Sequence, residues 1–307
     1  MSSIAFVGSF AGSIRHRGGT KATDRLCRFL RSAVVVLMAA GLAACSTSEV
    51  MRPSSAPVPT SASSKYAAIV IDANSGRTLH AVDADAPRIP ASLTKMMTLY
   101  MLFEAMQQGR VTPSTQIPVS AYAASRPPTK LYFKAGQSVD ADTAIRALAT
   151  KSANDVATAV AEYLGGSEDR FAGMMTAKAR QLGMNHTVFR NASGLPDGQQ
   201  RTTARDMAIL GLALHQHFPS MYGYFGQRGF AFRGKTIKGH NKVLDMVAGA
   251  DGIKTGYTRA SGFNLATSVS RDGKRLVAVV MGEKTARDRD ALMAQLVERF
   301  LPEASRR

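Results

Sequence analysis

Strand-like segments stand at both ends of the main part of this chain, and helical segments fill its middle. Two short apolar runs flank the turn residues 74–77, which predicts a hairpin near the start. Further strand-like runs, separated by turn residues, follow Gly229. Because strands at the two ends of a domain can share one sheet, this order predicts a single α+β domain with a helical insert between its strands.

Apolar residues in the middle of the chain recur with helical spacing. The spacing predicts helices at 93–106, 140–149, 155–163, 168–182, 204–215 and 287–300. The strand-like runs after Gly229 cover 229–237, 262–270 and 275–283. Thr203 followed by Asp206 is typical of a capping box, and it marks the start of the helix at 204–215.

The first 45 residues are typical of an export signal. A basic region precedes the apolar run 33–44, which is shorter than the about 20 residues that a bilayer-spanning helix needs. The run ends in Leu-Ala-Ala-Cys45, which resembles the lipobox of bacterial lipoproteins, in which the cysteine is lipidated and becomes the new N-terminus. Ordinary cleavage is the alternative, because Gly41 and Ala43 are small residues suitably placed for it.

A Ser-, Thr- and Pro-rich segment, 46–65, follows the signal and predicts a flexible linker. We expect the folded domain at 66–302 and a short tail at 303–307. The two cysteines, Cys27 and Cys45, both precede this domain. The domain therefore has no disulfide, no cysteine nucleophile and no cysteine ligand for a metal.

The formal net charge is +17, and most of the basic excess lies beyond the signal. Such a charge favours an anionic partner, whether nucleic acid, anionic lipid or an anionic polymer. Nucleic acid is disfavoured, because no basic run is interleaved with aromatic residues and tryptophan is absent.

The segment PASLTKMMT places Ser92 and Lys95 three residues apart where an apolar helix begins. Residues i and i+3 of a helix lie on one face, about one turn apart. A lysine whose pKa is lowered can serve as the base that makes a serine nucleophilic. The alternative is that Ser92 only caps the helix.

Two further motifs follow in the chain. Ser152 and Asn154 form an S-x-N motif, and Lys254, Thr255 and Gly256 form K-T-G at the head of a strand-like run. S-x-x-K, S-D-N and K-T-G together are the signature of penicillin-binding proteins and class A β-lactamases. Here the middle motif is S-A-N, and the order and the spacings of roughly 60 and 100 residues make the set far more specific than any one member.

On these motifs the chain resembles the low-molecular-mass penicillin-binding proteins, which are the serine-type D-alanyl-D-alanine carboxypeptidases of peptidase family S11. The segments 152–162, 182–196, 202–208 and 251–268 also look like that family. The resemblance implies a β-lactamase/penicillin-binding-protein-like fold. In that fold a five-stranded antiparallel sheet is flanked by helices, and the active site lies where the sheet meets a helical subdomain.

The resemblance also implies roles for the motif residues. Ser92 is expected to be the acylated nucleophile and Lys95 its general base. Ser152 is expected to relay the proton to the leaving amine, and Asn154 to hold Lys95 and the substrate amide. The N–H groups of Ser92 and Tyr257 are expected to form the oxyanion hole.

Four positions are expected to bind the substrate. Lys254 supplies positive potential and helps to keep Lys95 neutral, and Thr255 binds the terminal carboxylate. Gly256 lets the substrate backbone pair with the strand edge. The segment GEKTARDRD resembles the family's segment with a carboxylate-binding arginine, which points to Arg289. Arg287 is close by, and an exposed helix cation is the alternative interpretation.

The implied function is a D,D-carboxypeptidase that removes the terminal D-alanine from peptidoglycan stem peptides and is inhibited by β-lactams. No cofactor and no metal are expected. The expected location is the periplasm, with a lipid on Cys45 as the membrane anchor.

Three other functions remain open. A D,D-endopeptidase of the same family is the nearest, because many family carboxypeptidases carry a second, β-rich C-terminal domain and an amphipathic anchor that this sequence lacks. A β-lactamase is less favoured, because no glutamate is followed four residues later by asparagine. A non-catalytic peptidoglycan-binding lipoprotein is favoured only if a motif residue is missing.

Other signals are weaker. Residues 229–236 match the P-loop pattern, but the segment alternates like a strand and no helical period follows it. His215 and His217 have a spacing that occurs in metal sites, and a pair without a metal is the favoured interpretation. No G-x-S-x-G motif occurs.

Overall fold

The computed structural model describes residues 58–307. Their strands are β1 (Ala67–Asp72), β2 (Thr78–Val82), β3 (Gln116–Pro118), β4 (Ser138–Asp140), β5 (Gly229–Phe232), β6 (Lys235–Lys238), β7 (Ala250–Thr258), β8 (Gly262–Arg271) and β9 (Lys274–Glu283). Five of them form an antiparallel sheet in the order β2-β1-β9-β8-β7. The prediction that strands from both ends share one sheet is confirmed, and β7 lies at an edge.

The helices are α1 (Lys95–Gln107), α2 (Ala121–Ser125), α3 (Ala141–Arg146), α4 (Asn154–Gly165), α5 (Glu168–Gln181), α6 (Ala204–His217), α7 (Val243–Met246) and α8 (Ala286–Phe300). A 3-10 turn, Ala91–Thr94, precedes α1, and a π-helical turn, Ala147–Lys151, follows α3. Two of the predicted helices, at 93–106 and 140–149, are therefore each divided into two kinds of helix.

Both faces of the sheet are covered by helices. In β1, Ala67, Ile69 and Ile71 belong to the larger apolar core, which includes residues of α1, α4, α5 and α6. The intervening Ala68 and Val70 belong to a second core, which includes residues of α8. Successive side chains of a strand point to opposite faces, so a strand that is buried on both faces reads as a continuous apolar run.

The start of α6 is formed as the sequence predicts, with one difference. The Thr203 side chain accepts a hydrogen bond of 3.0 Å from the Asp206 N–H. The Asp206 carboxylate instead accepts from His186 N and from Thr187 Oγ1, at 2.9 and 2.6 Å. The aspartate thus ties the helix to the preceding loop.

The segment with the P-loop pattern is a β-hairpin. β5 and β6 pair antiparallel, with Phe232 opposite Lys235, and a strand rather than a helix begins at Lys235 of the Gly-Lys-Thr sequence. A phosphate-binding loop requires a helix at that point. The segment that matches the nucleotide-binding pattern is therefore a strand-turn-strand unit.

The predicted signal, the Cys45 site and residues 46–57 of the predicted linker lie outside the described residues. Within 58–307, none of the helices is long and apolar enough to cross a membrane. Ser63 Oγ donates a 2.5 Å hydrogen bond to Gly282 O, so contacts with the domain begin before Tyr66. In the predicted tail, Ser305 N donates to the Asp72 carboxylate at 2.9 Å.

Candidate active site

Ser92 lies in the 3-10 turn that leads into α1. The preceding residue, Ala91, has a φ of +48°, a conformation that costs energy for a residue with a side chain and is common at functional sites. Lys95 is the first residue of α1 and is fully buried. Its Nζ lies 3.2 Å from Ser92 Oγ, as the three-residue spacing predicts.

Two carbonyl oxygens also contact the Lys95 amine. Asn154 Oδ1 lies 2.7 Å from Nζ, and the backbone oxygen of Ser193 lies 2.6 Å from it. Both oxygens can only accept. A neutral amine has two hydrogens and one lone pair, so when these oxygens take both hydrogens the lone pair is left for the Ser92 hydroxyl.

The surroundings favour this neutral form. Burial lowers the pKa of Lys95 well below its usual value, because an ammonium group is poorly solvated there. The positive charge of Lys254 lowers the pKa further, whereas the negative charges of Glu168 and Asp155 act in the opposite direction. The arrangement is that of an amine able to take a proton from Ser92.

The S-x-N motif lies at the junction of the π-helical turn and α4. Ser152 has a left-handed backbone, with φ of +64°, and its buried hydroxyl has no hydrogen-bond partner among the described residues. Asn154 Nδ2 donates to Pro127 O at 2.9 Å, which leaves Oδ1 directed at Lys95. The Asn154 N–H donates to Thr129 O at 2.7 Å.

The K-T-G motif lies in the edge strand β7, across the cleft from Ser152. Lys254 is 1% exposed, and its Nζ donates to Thr255 O at 2.9 Å. Burial lowers the pKa of Lys254 to about 7, and the charge of Arg289 contributes in the same direction. Tyr257 is 55% exposed at the mouth of the cleft and stacks on Phe263, with ring centroids 4.2 Å apart.

Gly256 allows β7 to approach the turn that contains Ser92. A Cβ at this position would stand 3.1 Å from Pro90 O, 3.1 Å from Ser92 N and 3.2 Å from Leu93 N. These contacts are tighter than most real Cβ contacts. The sequence argument assigned this glycine to the substrate, but in the structure the crowding falls on the protein's own turn.

The structure separates the two candidate arginines. Arg289 is 4% exposed and lines the cavity, and its Nε and Nη2 donate to Asp290 Oδ1 at 2.9 and 2.7 Å. The side chain of Arg287 is 92% exposed and its nearest carboxylate, that of Asp288, is 3.9 Å away. Only Arg289 faces the site.

Gly194 and His240 are among the cavity-lining residues that sequence reasoning did not assign. Gly194 has a φ of +84°, and a Cβ there would lie 1.8 Å from Ala91 O, beside the Ser92 turn. His240 follows β6. Desolvation by its surroundings in the cleft lowers the pKa of the His240 imidazole to about 4, although the residue remains exposed, and Lys254 acts in the same direction. The segment around Gly194 was part of the resemblance, but no pattern in the sequence pointed to His240.

Together these residues enclose a cavity of about 460 Å³. Its lining comprises Ser92, Pro128, Thr129, Ser152, Asn154, Ser193, Gly194, Leu195, His240, Thr255, Gly256, Tyr257, Thr258, Phe263, Ala286 and Arg289. No carboxylate residue is among them. The structure thus brings every predicted motif residue of the domain to one cleft, with Lys95 and Lys254 buried in its walls.

The two histidines with metal-like spacing lie on α6. His215 packs edge-on against Tyr222, with ring centroids 5.0 Å apart. His217 Nδ1 lies 2.8 Å from the hydroxyl of Tyr100. Within the described residues, no group of three or more His, Cys, Asp or Glu side chains could hold a metal ion.

Comparisons with known proteins give matches over most of the chain. Residues 52–285 match the family model of peptidase S11, described as D-alanyl-D-alanine carboxypeptidase. The D-alanyl-D-alanine carboxypeptidase DacA of Escherichia coli K12 is 36% identical over 236 residues, which are 75% of this chain and 59% of that protein. DacF of Bacillus subtilis is 30% identical over 236 residues, which are 75% of this chain and 60% of that protein.

Solved structures give the same picture. DacD from Francisella tularensis superposes with a TM-score of 0.76 and 29% identity, covering 82% of this chain and 72% of that one. Penicillin-binding protein D2 from Listeria monocytogenes, in its ampicillin-bound form, has a TM-score of 0.68 and 28% identity, covering 78% of this chain and 98% of that one. The chain spans about three-fifths of the length of the two curated relatives.

Replacing Gly194 with alanine should displace the Ser92 turn, because the new Cβ collides with Ala91 O. The left-handed backbone alone costs roughly 1–2 kcal/mol for a residue with a Cβ. We expect Gly194→Ala to lower the free energy of unfolding by at least about that amount in urea titrations. We also expect much slower acylation of Ser92 by a fluorescent penicillin.

Gly198→Ala is the matched control, because its Cβ meets no atom within 4 Å. Equal acylation of the two variants would show that this close packing is not required.

Proposed function

The chain belongs to peptidase family S11, and on that premise we propose that it is a serine D,D-carboxypeptidase. In this proposal it removes the terminal D-alanine from peptidoglycan stem peptides through an acyl-enzyme on Ser92. The observation that carries the proposal is the contact of 3.2 Å between Ser92 Oγ and a fully buried lysine whose two other partners are hydrogen-bond acceptors. A base held in this way is oriented before substrate arrives.

In the acylation step, Ser92 Oγ attacks the carbonyl carbon of the penultimate D-alanine while Lys95 takes the hydroxyl proton. The C–N bond then breaks, and the proton passes to the leaving amine through Ser152, whose hydroxyl is not engaged by the described residues. Water attacks the ester and releases the shortened peptide. Lys95 is again the base for that water, and Ser92 regains its proton.

The negative charge that develops on the carbonyl oxygen needs donors. The N–H groups of Ser92 and Tyr257 are our candidates, because β7 passes close to the Ser92 turn at Gly256. Preorganised backbone donors at such a position are usually the largest single contribution to catalysis of this kind. The N-terminus of α1 adds a favourable dipole.

The terminal carboxylate of the substrate is expected to bind at the end of the cleft that is formed by Thr255 and Arg289. Thr255 and Arg289 line the cavity there, and Lys254 contributes charge from within the wall. Asp290 holds the guanidinium in place through two hydrogen bonds. A β-lactam carries a similar carboxylate beside a reactive carbonyl and is therefore expected to acylate Ser92. The ampicillin-bound state of the Listeria relative supports this expectation.

The lining of the cavity also bears on the β-lactamase alternative. A class A β-lactamase uses a glutamate to activate the deacylating water, and no carboxylate residue lines this cavity. Rapid hydrolysis of the acyl-enzyme formed with a β-lactam is therefore disfavoured.

We also propose that the protein is exported to the periplasm and held at a membrane by a lipid on Cys45. The support is the sequence Leu-Ala-Ala-Cys45 after a basic region and a short apolar run.

Release of D-alanine tests the function directly. We expect the purified protein to release free D-alanine from a pentapeptide that ends in D-Ala-D-Ala. Ser92→Ala and Lys95→Ala should each reduce the rate by about a thousandfold or more, because neither the nucleophile nor its base has a substitute. The fold of each variant is checked by circular dichroism. A wild-type protein that is acylated by penicillin but releases no D-alanine would indicate cross-link cleavage instead.

The pH dependence of acylation tests the role of Lys254. Acylation requires unprotonated Lys95, so its rate rises with pH through the lowered pKa of that residue. The charge of Lys254 depresses this pKa, so Lys254→Gln should raise it and move the acid limb of the profile to higher pH. In the wild type, loss of the Lys254 charge above about pH 7 should also weaken carboxylate binding. Lys242→Gln, which removes a cation that acts on the pKa of His240 but is not among the charges that act on Lys95, is the control. An acid limb that stays in place in Lys254→Gln would refute the coupling.

The membrane anchor is tested by Cys45→Ala. Because Cys45 is the only residue of the lipobox that can carry the lipid, the variant should move from the membrane to the soluble fraction of cells that export it. Wild-type protein should incorporate labelled palmitate and the variant should not. A variant that stays with the membrane pellet contradicts the proposal.

A further inference from the structure

The two segments that flank the cleft carry basic side chains and no acidic ones. Residues 126–138, here called the wall segment, contain three lysines and arginines and no aspartate or glutamate. Residues 228–242, which include the β5–β6 hairpin, contain five lysines and arginines and again no acid. A chain with balanced surface charge would mix the two signs in such exposed segments.

The wall segment is part of the cleft itself. Its residues Pro128 and Thr129 line the cavity. Thr129 Oγ1 donates to Ser152 O at 2.8 Å, and Thr129 O accepts from the Asn154 N–H at 2.7 Å. The segment is therefore fixed against the S-x-N motif, and substrate that leaves the cavity on this side passes the basic residues beside it.

The hairpin packs against the wall segment. The Arg233 guanidinium lies 4.7 Å from the ring centroid of Phe133 and 4.9 Å from that of Phe232. Gln137 Oε1 accepts from Arg233 Nη2 at 3.2 Å and from Lys134 N at 2.9 Å. Positive residues of the two segments therefore lie side by side on one surface.

This surface, which we call the basic rim, consists of Arg126, Lys130, Lys134, Arg233 and Lys235. Lys238 is not part of it, because it lies three residues beyond Lys235 in β6 and so on the other face of the hairpin. No carboxylate within residues 58–307 forms an ion pair with any of the five, whereas the nearby Arg228 pairs with Asp245 at 2.5 Å. Beside the rim, Tyr132 is 63% exposed, and Lys130 lies 5.4 Å from its ring centroid. The charge of the rim is thus not neutralised by the described part of the chain.

We propose that the basic rim binds carboxylate groups on the parts of a peptide substrate that extend out of the cleft. The enzyme then prefers long, polyanionic peptide strands over short peptides whose only charge is the terminal carboxylate. This inference rests on the proposed carboxypeptidase function. A substrate peptide is favoured over a lipid surface as the ligand of the rim. The reason is that the wall segment lines the substrate cavity and also contains basic residues next to it.

Each exposed ion pair adds little to the free energy of binding. Several cations that face one polyanion add their contributions and also increase the rate at which it meets the cleft. The effect should weaken in salt, because exposed charges are screened beyond about 8–10 Å at ordinary ionic strength.

The test uses the full chain and two substrates. One is a short diacylated peptide that ends in D-Ala-D-Ala and whose only charge is its terminal carboxylate, and the other is isolated peptidoglycan with pentapeptide stems that carry further free carboxylates. The test variant is Lys134→Glu/Lys235→Glu, because these two side chains are exposed and make no hydrogen bond to the described residues. The matched control, Arg170→Glu/Arg306→Glu, changes the charge equally at exposed positions outside the cleft.

We expect the test variant to release D-alanine from the short peptide at the wild-type rate and to show about a tenfold higher KM for the polyanionic substrate. The control should match the wild type on both. Sodium chloride should raise the wild-type KM for the polyanionic substrate alone.

Equal activity of the test variant and the wild type on both substrates would overturn the proposal. So would loss of binding to phosphatidylglycerol vesicles with both rates unchanged, because the rim would then be a lipid-binding surface. A wild type that acts on neither substrate would instead refute the carboxypeptidase function.

Discussion

The burial of one amine organises this active site. Removing Lys95 from water disfavours its ammonium form, and the neutral amine still needs acceptors for two hydrogens. Asn154 supplies one from the helical insert, and the Ser193 carbonyl supplies the other from the loop before α6. The base is therefore correctly oriented only when the insert, that loop and the start of α1 are packed together, so the chemistry depends on the completed fold.

Close backbone approach is the second constraint. Gly194 and Gly256 bring a loop and the edge strand β7 against the turn that contains Ser92, from two sides. A side chain at either position would push the turn away from the amine or from the donors along β7. The turn itself has an unfavourable backbone at Ala91, and packing from both sides holds it there.

Much of this arrangement could be predicted from local patterns in the sequence. The i, i+3 spacing brought Ser92 to Lys95, and apolar runs at both ends of the domain indicated a shared sheet. Other features depend on contacts between distant segments. The 3-10 turn before Lys95 continues the apolar spacing of the helix that follows it, so the sequence pattern does not distinguish the two kinds of helix. The choice of Arg289 over Arg287 depends on how α8 lies over the sheet.

The contact of Ser193 O with Lys95 is a further example, because every residue has a carbonyl and no pattern of side chains distinguishes this one. His240 likewise has no regular spacing to another functional residue. Its position follows from the loop between β6 and α7, which brings it to the cavity.

The positive charges of the domain fall into two groups with different physical settings. Lys254 and Arg289 are buried, and a carbonyl or carboxylate fixes each of them, so they can recognise one carboxylate at one distance. The cations of the basic rim are more exposed and are not neutralised by the described chain, so they attract negative charge over a wide area without fixing its geometry. In our proposal the buried group determines which bond is cleaved, and the rim determines which strands reach it. The hydrogen-bond partners of Lys254 and Arg289 are Thr255, Asp290 and Asn264, none of which belongs to the rim. Substitution in the rim can therefore alter substrate preference while leaving the chemical step intact.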